Sequence, residues 1–225
     1  MHFLMIGGSG RTGQLIIDEA LVRGHQVTAL VRKPSSLAPR NSLTTVEGTP
    51  MDLEDIDRAF EADASSTPTA VVVALNARRT SDSPFAAPSP DTPPRMMADS
   101  VANVITAMKK YGARKIVINS SMGAGSSING LNCLLRPVFL YSNMRFQMDD
   151  HNAVDEETRK AGVDFVLVRP AMLAEGAPAE VKVYGDDGKC SGFMPKITRE
   201  SVARFMVIEA LEGHEYDGRA PVITN

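Results

Sequence analysis

The short run His2–Ile6 (HFLMI) passes directly into Gly7-Gly8-Ser9-Gly10-Arg11-Thr12-Gly13, and this junction constrains the fold more than any other feature of the chain. An apolar run stopped by glycines reads as a buried strand. Beyond the glycines, Leu15, Ile16, Ala20 and Leu21 recur at helical spacing, and Gly24 supplies a stop. Strand, glycine turn and helix therefore form the opening unit. Each glycine of the GxxGxxG spacing has a physical task. Gly7 permits the tight turn, Gly10 lets the backbone approach a pyrophosphate, and Gly13 lets the helix pack closely on the sheet. The helix then opens through Arg11 and Thr12 with its positive dipole end toward an anion. A glycine-rich connection without a ligand would share this spacing, but the position between strand and helix points to a bound dinucleotide.

The remaining chain repeats the alternation. Strand patterns cover residues 26–31, 43–47, 70–75, 115–119 and 165–168, with shorter ones at 181–184 and 221–224. Helical patterns cover 11–23, 52–60, 95–111, 142–161 and 199–211, the last behind Thr198 as N-cap. Such alternation implies right-handed crossovers and an α/β fold: a doubly wound, mostly parallel sheet in a single domain, residues 1–225. A sheet of this kind takes its ligand at the carboxyl ends of the strands, here Ile6, Val31, Leu75, Asn119 and Val168. Pro84, Pro88, Pro90, Pro93 and Pro94 keep the segment 76–94 from being a regular helix. A loop of that length in a compact domain is functional or disordered.

Composition narrows the function classes. The net charge of −3 provides no global basic field for nucleic acid or an anionic membrane, although a local patch is compatible with it. Aromatics make up 5% of the chain and Trp is absent, so no stacking platform for single strands is readable. The two cysteines, Cys133 and Cys190, have neither metal-site nor disulfide-framework spacing, and no metal is expected. No apolar run reaches the length of a membrane span, and no leader pattern precedes the first strand. A cytoplasmic, soluble chain is the expectation.

The second strand discriminates between dinucleotides. A site for NAD wants an acid near its end for the ribose 2′-hydroxyl, whereas this chain reads ALVRKP, with Arg32 and Lys33. A guanidinium there suits a 2′-phosphate, and Arg11 is placed to add to it. NADP(H) is the expected cofactor. Asp52 and Leu53 fall where this architecture bounds the adenine, though Asp52 serves equally as an N-cap. Leu75 and Asn76, at the end of the fourth strand, and Pro170, after the sixth, border the same crevice. Asn76 has an even alternative as a turn residue.

The segments GGSGRTG, LVRKPSSL, NVITAMKKYGARKIV, the Asp149-Asp150-His151 triplet, GVDFVLVRP and the late EYDG resemble the atypical short-chain dehydrogenases. Within that group they are similar to the NmrA-like proteins and to the NADPH-dependent flavin reductase/biliverdin-IXβ reductase family. The resemblance spans nearly the whole chain in order. It implies a Rossmann fold binding extended NADPH beneath a shallow apolar pocket. It implies hydride transfer to flavins or linear tetrapyrroles in the reductases, and redox sensing with a regulatory protein partner in other members. Ordinary short-chain dehydrogenases carry Tyr and Lys four apart on the fifth helix. Here those positions hold Gln147 and His151, and Tyr141 with Arg145 reads as packing. The family's reductases carry a His just after the sixth strand, where this chain has Met172, which bears on a tetrapyrrole role.

Ser120 and Ser121 follow the fifth strand. The resemblance places a serine beside the nicotinamide, Ser121 being the closer match, where its hydroxyl would stabilise developing charge. An ordinary two-serine turn is the competing account. His151 is readable as a proton carrier or, preferably, as a structural His holding a backbone carbonyl. Substrate contacts are expected from 76–94, 122–135 and 173–179. The expected function is an NADPH-dependent oxidoreductase acting on a planar small molecule such as a flavin, quinone or tetrapyrrole. The alternatives are a non-catalytic NmrA-like sensor and a biosynthetic enzyme for a polyketide-like substrate.

Overall fold

A computed structural model describes residues 1–81 and 83–225; Asp82, within the proline-rich segment, lies outside the described residues. The elements follow as β1 (His2–Ile6), α1 (Arg11–Val22), β2 (Gln26–Val31), β3 (Leu43–Glu47), α2 (Leu53–Phe60), β4 (Ala70–Val73), α3 (Met96–Tyr111) and β5 (Lys115–Asn119). They continue with α4 (Leu135–Tyr141), α5 (Met144–Lys160), β6 (Asp164–Pro170), β7 (Met172–Ala174), β8 (Lys182–Tyr184), β9 (Lys196–Thr198), α6 (Arg199–Phe205) and β10 (Val222–Thr224). One sheet runs β3-β2-β1-β4-β5-β6-β10-β8. Its strands pair parallel except at β8, which runs antiparallel to β10. The doubly wound reading holds.

Strands covered on both faces should be apolar throughout, and β1 and β4 are buried at every residue. One apolar layer joins the sheet to α1 and α6, through Ile16, Ile17, Ala20, Val202 and Phe205. The other joins it to α2, α3 and α5, through Ile56, Phe60, Val104, Met108 and Val154. Strand order reverses between β1 and β4, so the chain leaves these two strands in opposite directions and opens a crevice there.

Several boundaries differ from the sequence reading. β4 stops at Val73 and not Leu75, because Val73 is the last residue paired with both Ile6 and Ile118. The helix expected at 142–161 begins at Met144, and a separate helix, α4, precedes it. Tyr141 ends that helix 83% exposed, so the packing role expected of it is wrong. Its helix buries no residue, leaving nothing for the ring to pack beneath. The stretch after β5 is not loop throughout, since Gly125–Gly130 winds as a 3-10 helix. The last helix changes from α to π winding over Met206–Glu212. A two-stranded parallel sheet, β7 with β9, was not expected and forms an outwork beyond the end of β6.

Candidate functional site

The β1 exit is built so tightly that two of its glycines are obligatory. Ala74 N–H donates to Ile6 O at 2.8 Å, bringing the β4 exit against the turn. Gly7 sits at φ 85°, and a Cβ there would stand 2.5 Å from Ala74 O. A Cβ on Gly13 would stand 2.2 Å from Gly7 O, inside any tolerable contact. Gly10 differs. Its φ of −75° suits any residue, and the nearest atom to an added Cβ is Gly7 O at 3.3 Å. The fold therefore asks less of glycine at this point than at Gly7 and Gly13, since this contact is relieved by a shift of a few tenths of an ångström.

That backbone ends in an open helix N-terminus. Gln14 N–H donates to Gly10 O at 2.9 Å, but the amides of Arg11, Thr12 and Gly13 meet no acceptor among the described residues. No side chain caps α1, and its first turn carries no acid. A twelve-residue helix thus presents three amides and its positive dipole end at the crevice, an arrangement suited to a pyrophosphate. Arg32 and Lys33 leave β2 exposed, without an ion pair among the described residues. Arg11 pairs with Glu175 at 3.3 Å, and Glu175 also pairs with Arg199.

Asp52 caps α2, its Oδ1 accepting from Glu54 N–H at 2.9 Å, which is the N-cap half of the sequence reading. Leu53, first residue of α2, is 37% exposed. Leu75 is half-buried and Asn76 exposed. Asn76 Oδ1 accepts from Gln147 Nε2, while Gln147 Oε1 accepts from Arg79 Nη1 at 2.9 Å. Gln147 thereby links α5 to the β4 exit and to the proline-rich segment. Around it lies a cleft of about 350 Å³ that includes Arg78, Pro93, Phe146 and Gln147.

Ser120 and Ser121 do not form a free turn. Ser120 N–H donates to Val168 O at 2.7 Å and Met122 N–H to Pro170 O at 2.9 Å, so the β5–β6 ladder continues past Asn119. Ser120 and Pro170 are buried, whereas Ser121 is half-buried with its Oγ donating to Met122 O at 3.1 Å. The Asn119 Oδ1 beside them is buried without a partner among the described residues.

His151 lies inside, on α5, and makes no hydrogen bond to a carbonyl among the described residues. Burial, reinforced by the Arg169 guanidinium, pushes its pKa down to about 4, so the ring is neutral. The carbonyl-holding role expected of it is not what the structure shows.

Two features were missed. Asp150 accepts from the amides of Met97 and Ala98, both at 2.9 Å, and so caps α3 from α5. Burial still raises its pKa. Arg169, wholly buried, donates to Asp155 Oδ2 at 2.6 Å and to the Asp186 carbonyl at 2.6 Å. Arg159 binds the same two acids, at 2.7 and 3.2 Å. This network fastens α5 and the turn after β8 to the end of β6. The Asp149-Asp150-His151 triplet marked the region, but capping at a sequence distance of 52 residues leaves no local signature.

A model of NAD(P)H-binding proteins matches residues 7–212, from the glycine turn to the end of the π-helix. The chain belongs to this NAD(P)H-binding family. An uncharacterised chloroplastic protein of Arabidopsis thaliana is 27% identical over 91% of the chain and 70% of its own length. The divinyl chlorophyllide a 8-vinyl-reductase of the same plant is 20% identical over 99% of the chain. The chain spans about half that reductase, 53%. In structure it resembles a short-chain dehydrogenase/reductase of Veillonella parvula solved with NADP, with TM-score 0.77, 12% identity, and coverage of 100% and 94% of the two chains. It also resembles the anaerobilin reductase of Escherichia coli O157:H7, with TM-score 0.72, 17% identity, and coverage of 100% and 97%. At these identities the structural likeness speaks to the fold. Among the described residues no helix is long and apolar enough to cross a membrane.

Proposed function

We propose that the chain is an NADPH-dependent reductase acting on a planar small molecule of the flavin, quinone or tetrapyrrole kind. The observation that carries this reading is the uncapped α1 N-terminus over Gly10, where the fold leaves bare backbone and unpaired amides. In this reading those amides hold the pyrophosphate, with Gly7 and Gly13 shaping the turn beneath it. Arg32, with Lys33 beside it, takes the 2′-phosphate; no carboxylate competes for either cation among the described residues. Leu53 borders the adenine, while Leu75, Asn76 and Pro170 border the nicotinamide half.

NADPH, when bound, supplies the hydride. Ser121 orients the acceptor or stabilises charge on it, which requires its hydroxyl to turn from Met122 O. Gln147 stands where a proton-donating tyrosine would serve an ordinary short-chain dehydrogenase, and an amide cannot give a proton at neutral pH. His151 is buried and neutral, and is assigned to packing. The acceptor's proton then comes from water, which suits flavins and quinones better than simple ketones. The segments 76–94, 122–135 and 173–179 bound the acceptor.

The test is NADPH oxidation measured against a panel of flavins, quinones and tetrapyrroles, with simple ketones as controls. Turnover with at least one planar acceptor and none with ketones is expected. NADPH binding without turnover on any acceptor would replace this reading with that of a sensor.

A further inference from the structure

The exposed apolar side chains are not scattered. Of fourteen large ones among the described residues, nine form a single rim at the carboxyl end of the sheet. Hydrogen bonds and strand register trace its continuity. Phe85, 72% exposed, has its carbonyl bound by Asn143 Nδ2 at 2.8 Å. Asn143 joins α5, whose first turn exposes Phe146, to α4, which exposes Leu140 and Tyr141. Leu134 precedes α4, and Asn132 beside it donates to the carbonyl of Phe193. Phe193 and Met194 lead into β9, where Lys196 pairs with Met172, next to Leu173, on β7. The inner edge reaches the candidate site, because the Phe139 ring lies over Gly123, only two residues from Ser121.

Unpaired cations outnumber unpaired acids along this rim among the described residues. Between Ser100 and Met148 the chain contains no Asp or Glu. Arg136, Arg145 and Lys196 are exposed and have no carboxylate partner among the described residues. The nearby acids are Asp187, paired with Lys189, Glu175, paired with Arg11 and Arg199, and the exposed Asp91 and Asp149. A chain of net charge −3 thus gathers apolar and free basic groups along one edge.

We infer that this rim is a docking surface for an anionic lipid bilayer. Leu, Phe and Tyr side chains interleaved with Arg and Lys are what a headgroup layer receives: apolar tips enter the acyl boundary while cations meet phosphates. A two-fold contact between copies would bring the same uncompensated cations to both sides. Docked this way, the molecule turns the opening beside Ser121 toward the membrane. The surface is argued without the cofactor, so it stands or falls separately from the reductase reading.

The test is flotation of the full chain with vesicles of phosphatidylcholine alone or mixed with phosphatidylglycerol, at low and high salt, without NADPH. Binding to the anionic vesicles only, weakened by salt, is expected. Arg136→Gln and Arg145→Gln should each lower the partition coefficient about fivefold. Leu140→Ser combined with Tyr141→Ser should lower it roughly tenfold or more, with the melting temperature unchanged because both side chains are exposed. Absence of binding to anionic vesicles, or binding indifferent to all these variants, would overturn the inference. So would a concentration-dependent dimer, dissolved by the Leu140 and Tyr141 changes, in a chain that ignores vesicles.

Discussion

Arg32→Ala isolates the 2′-phosphate. Arg32 is exposed at the β2 exit and engages no carboxylate among the described residues, so its loss breaks no native ion pair. Folding stability should change by no more than about 0.5 kcal/mol, the usual scale for such surface sites. Binding is another matter. A guanidinium facing a dianionic phosphate makes charge-assisted hydrogen bonds worth roughly 2–3 kcal/mol when one partner is removed, equivalent to about 30- to 150-fold in affinity. NADH has no 2′-phosphate and should lose less than about twofold by the same reasoning. Calorimetric titration of both dinucleotides into both proteins reads the four affinities directly. Equal losses for NADPH and NADH, or a wild-type preference for NADH, would refute the assignment of Arg32.

Further outcomes follow from the same geometry. Gly13→Ala forces a Cβ to 2.2 Å from Gly7 O, so it should displace the turn and abolish measurable dinucleotide binding. Gly10→Ala puts its Cβ 3.3 Å from the same oxygen, a tight contact relieved by a shift of a few tenths of an ångström, so it should fold with at most a small drop in melting temperature and lose affinity chiefly through the ligand, as melting and titration together will show. Ser121→Ala should leave NADPH affinity within a few-fold while turnover falls about 10- to 1,000-fold, since the hydroxyl acts on charge that develops later. His151 takes its proton on unfolding, because its pKa rises from about 4 to the ordinary 6.5, so stability should fall as pH drops from 6.5 toward 4. The full difference corresponds to roughly 3 kcal/mol. Melts across that range should show a pH slope in the wild type that His151→Gln flattens, and an unchanged slope would remove His151 from the account.

What was legible in the sequence had local causes. The glycine turn announced itself because Gly13 answers a contact with Gly7 O inside the turn and Gly7 itself takes a positive φ of 85° there. The parallel sheet was legible because strands covered on both faces must be apolar, as in AVVV of β4. Features with distant causes were hidden. Asp150 caps α3 from α5, and Arg169 meets Asp155 and Asp186 only after β6, α5 and the β8 approach assemble. β7 and β9 are three residues each and lean on one another across a gap of more than twenty, too short to show a period. Tyr141 was misread because an apolar run predicts burial, whereas α4 buries none of its residues. Pattern locates apolar groups without saying whether another element covers them.

In the function proposed above, this chain holds NADPH to give its hydride away. A direct measurement uses NADPH deuterated at the nicotinamide C4, one face at a time, with an acceptor from the planar panel, followed by mass analysis of the NADP⁺ formed, because deuterium delivered to a flavin nitrogen or a quinone oxygen exchanges with water. Deuterium should be lost from the nicotinamide when it sits on one face and retained when it sits on the other, and the rate of that loss should fall sharply in Ser121→Ala. Tight NADPH binding with no NADP⁺ formed from either labelled form on any acceptor would contradict hydride transfer.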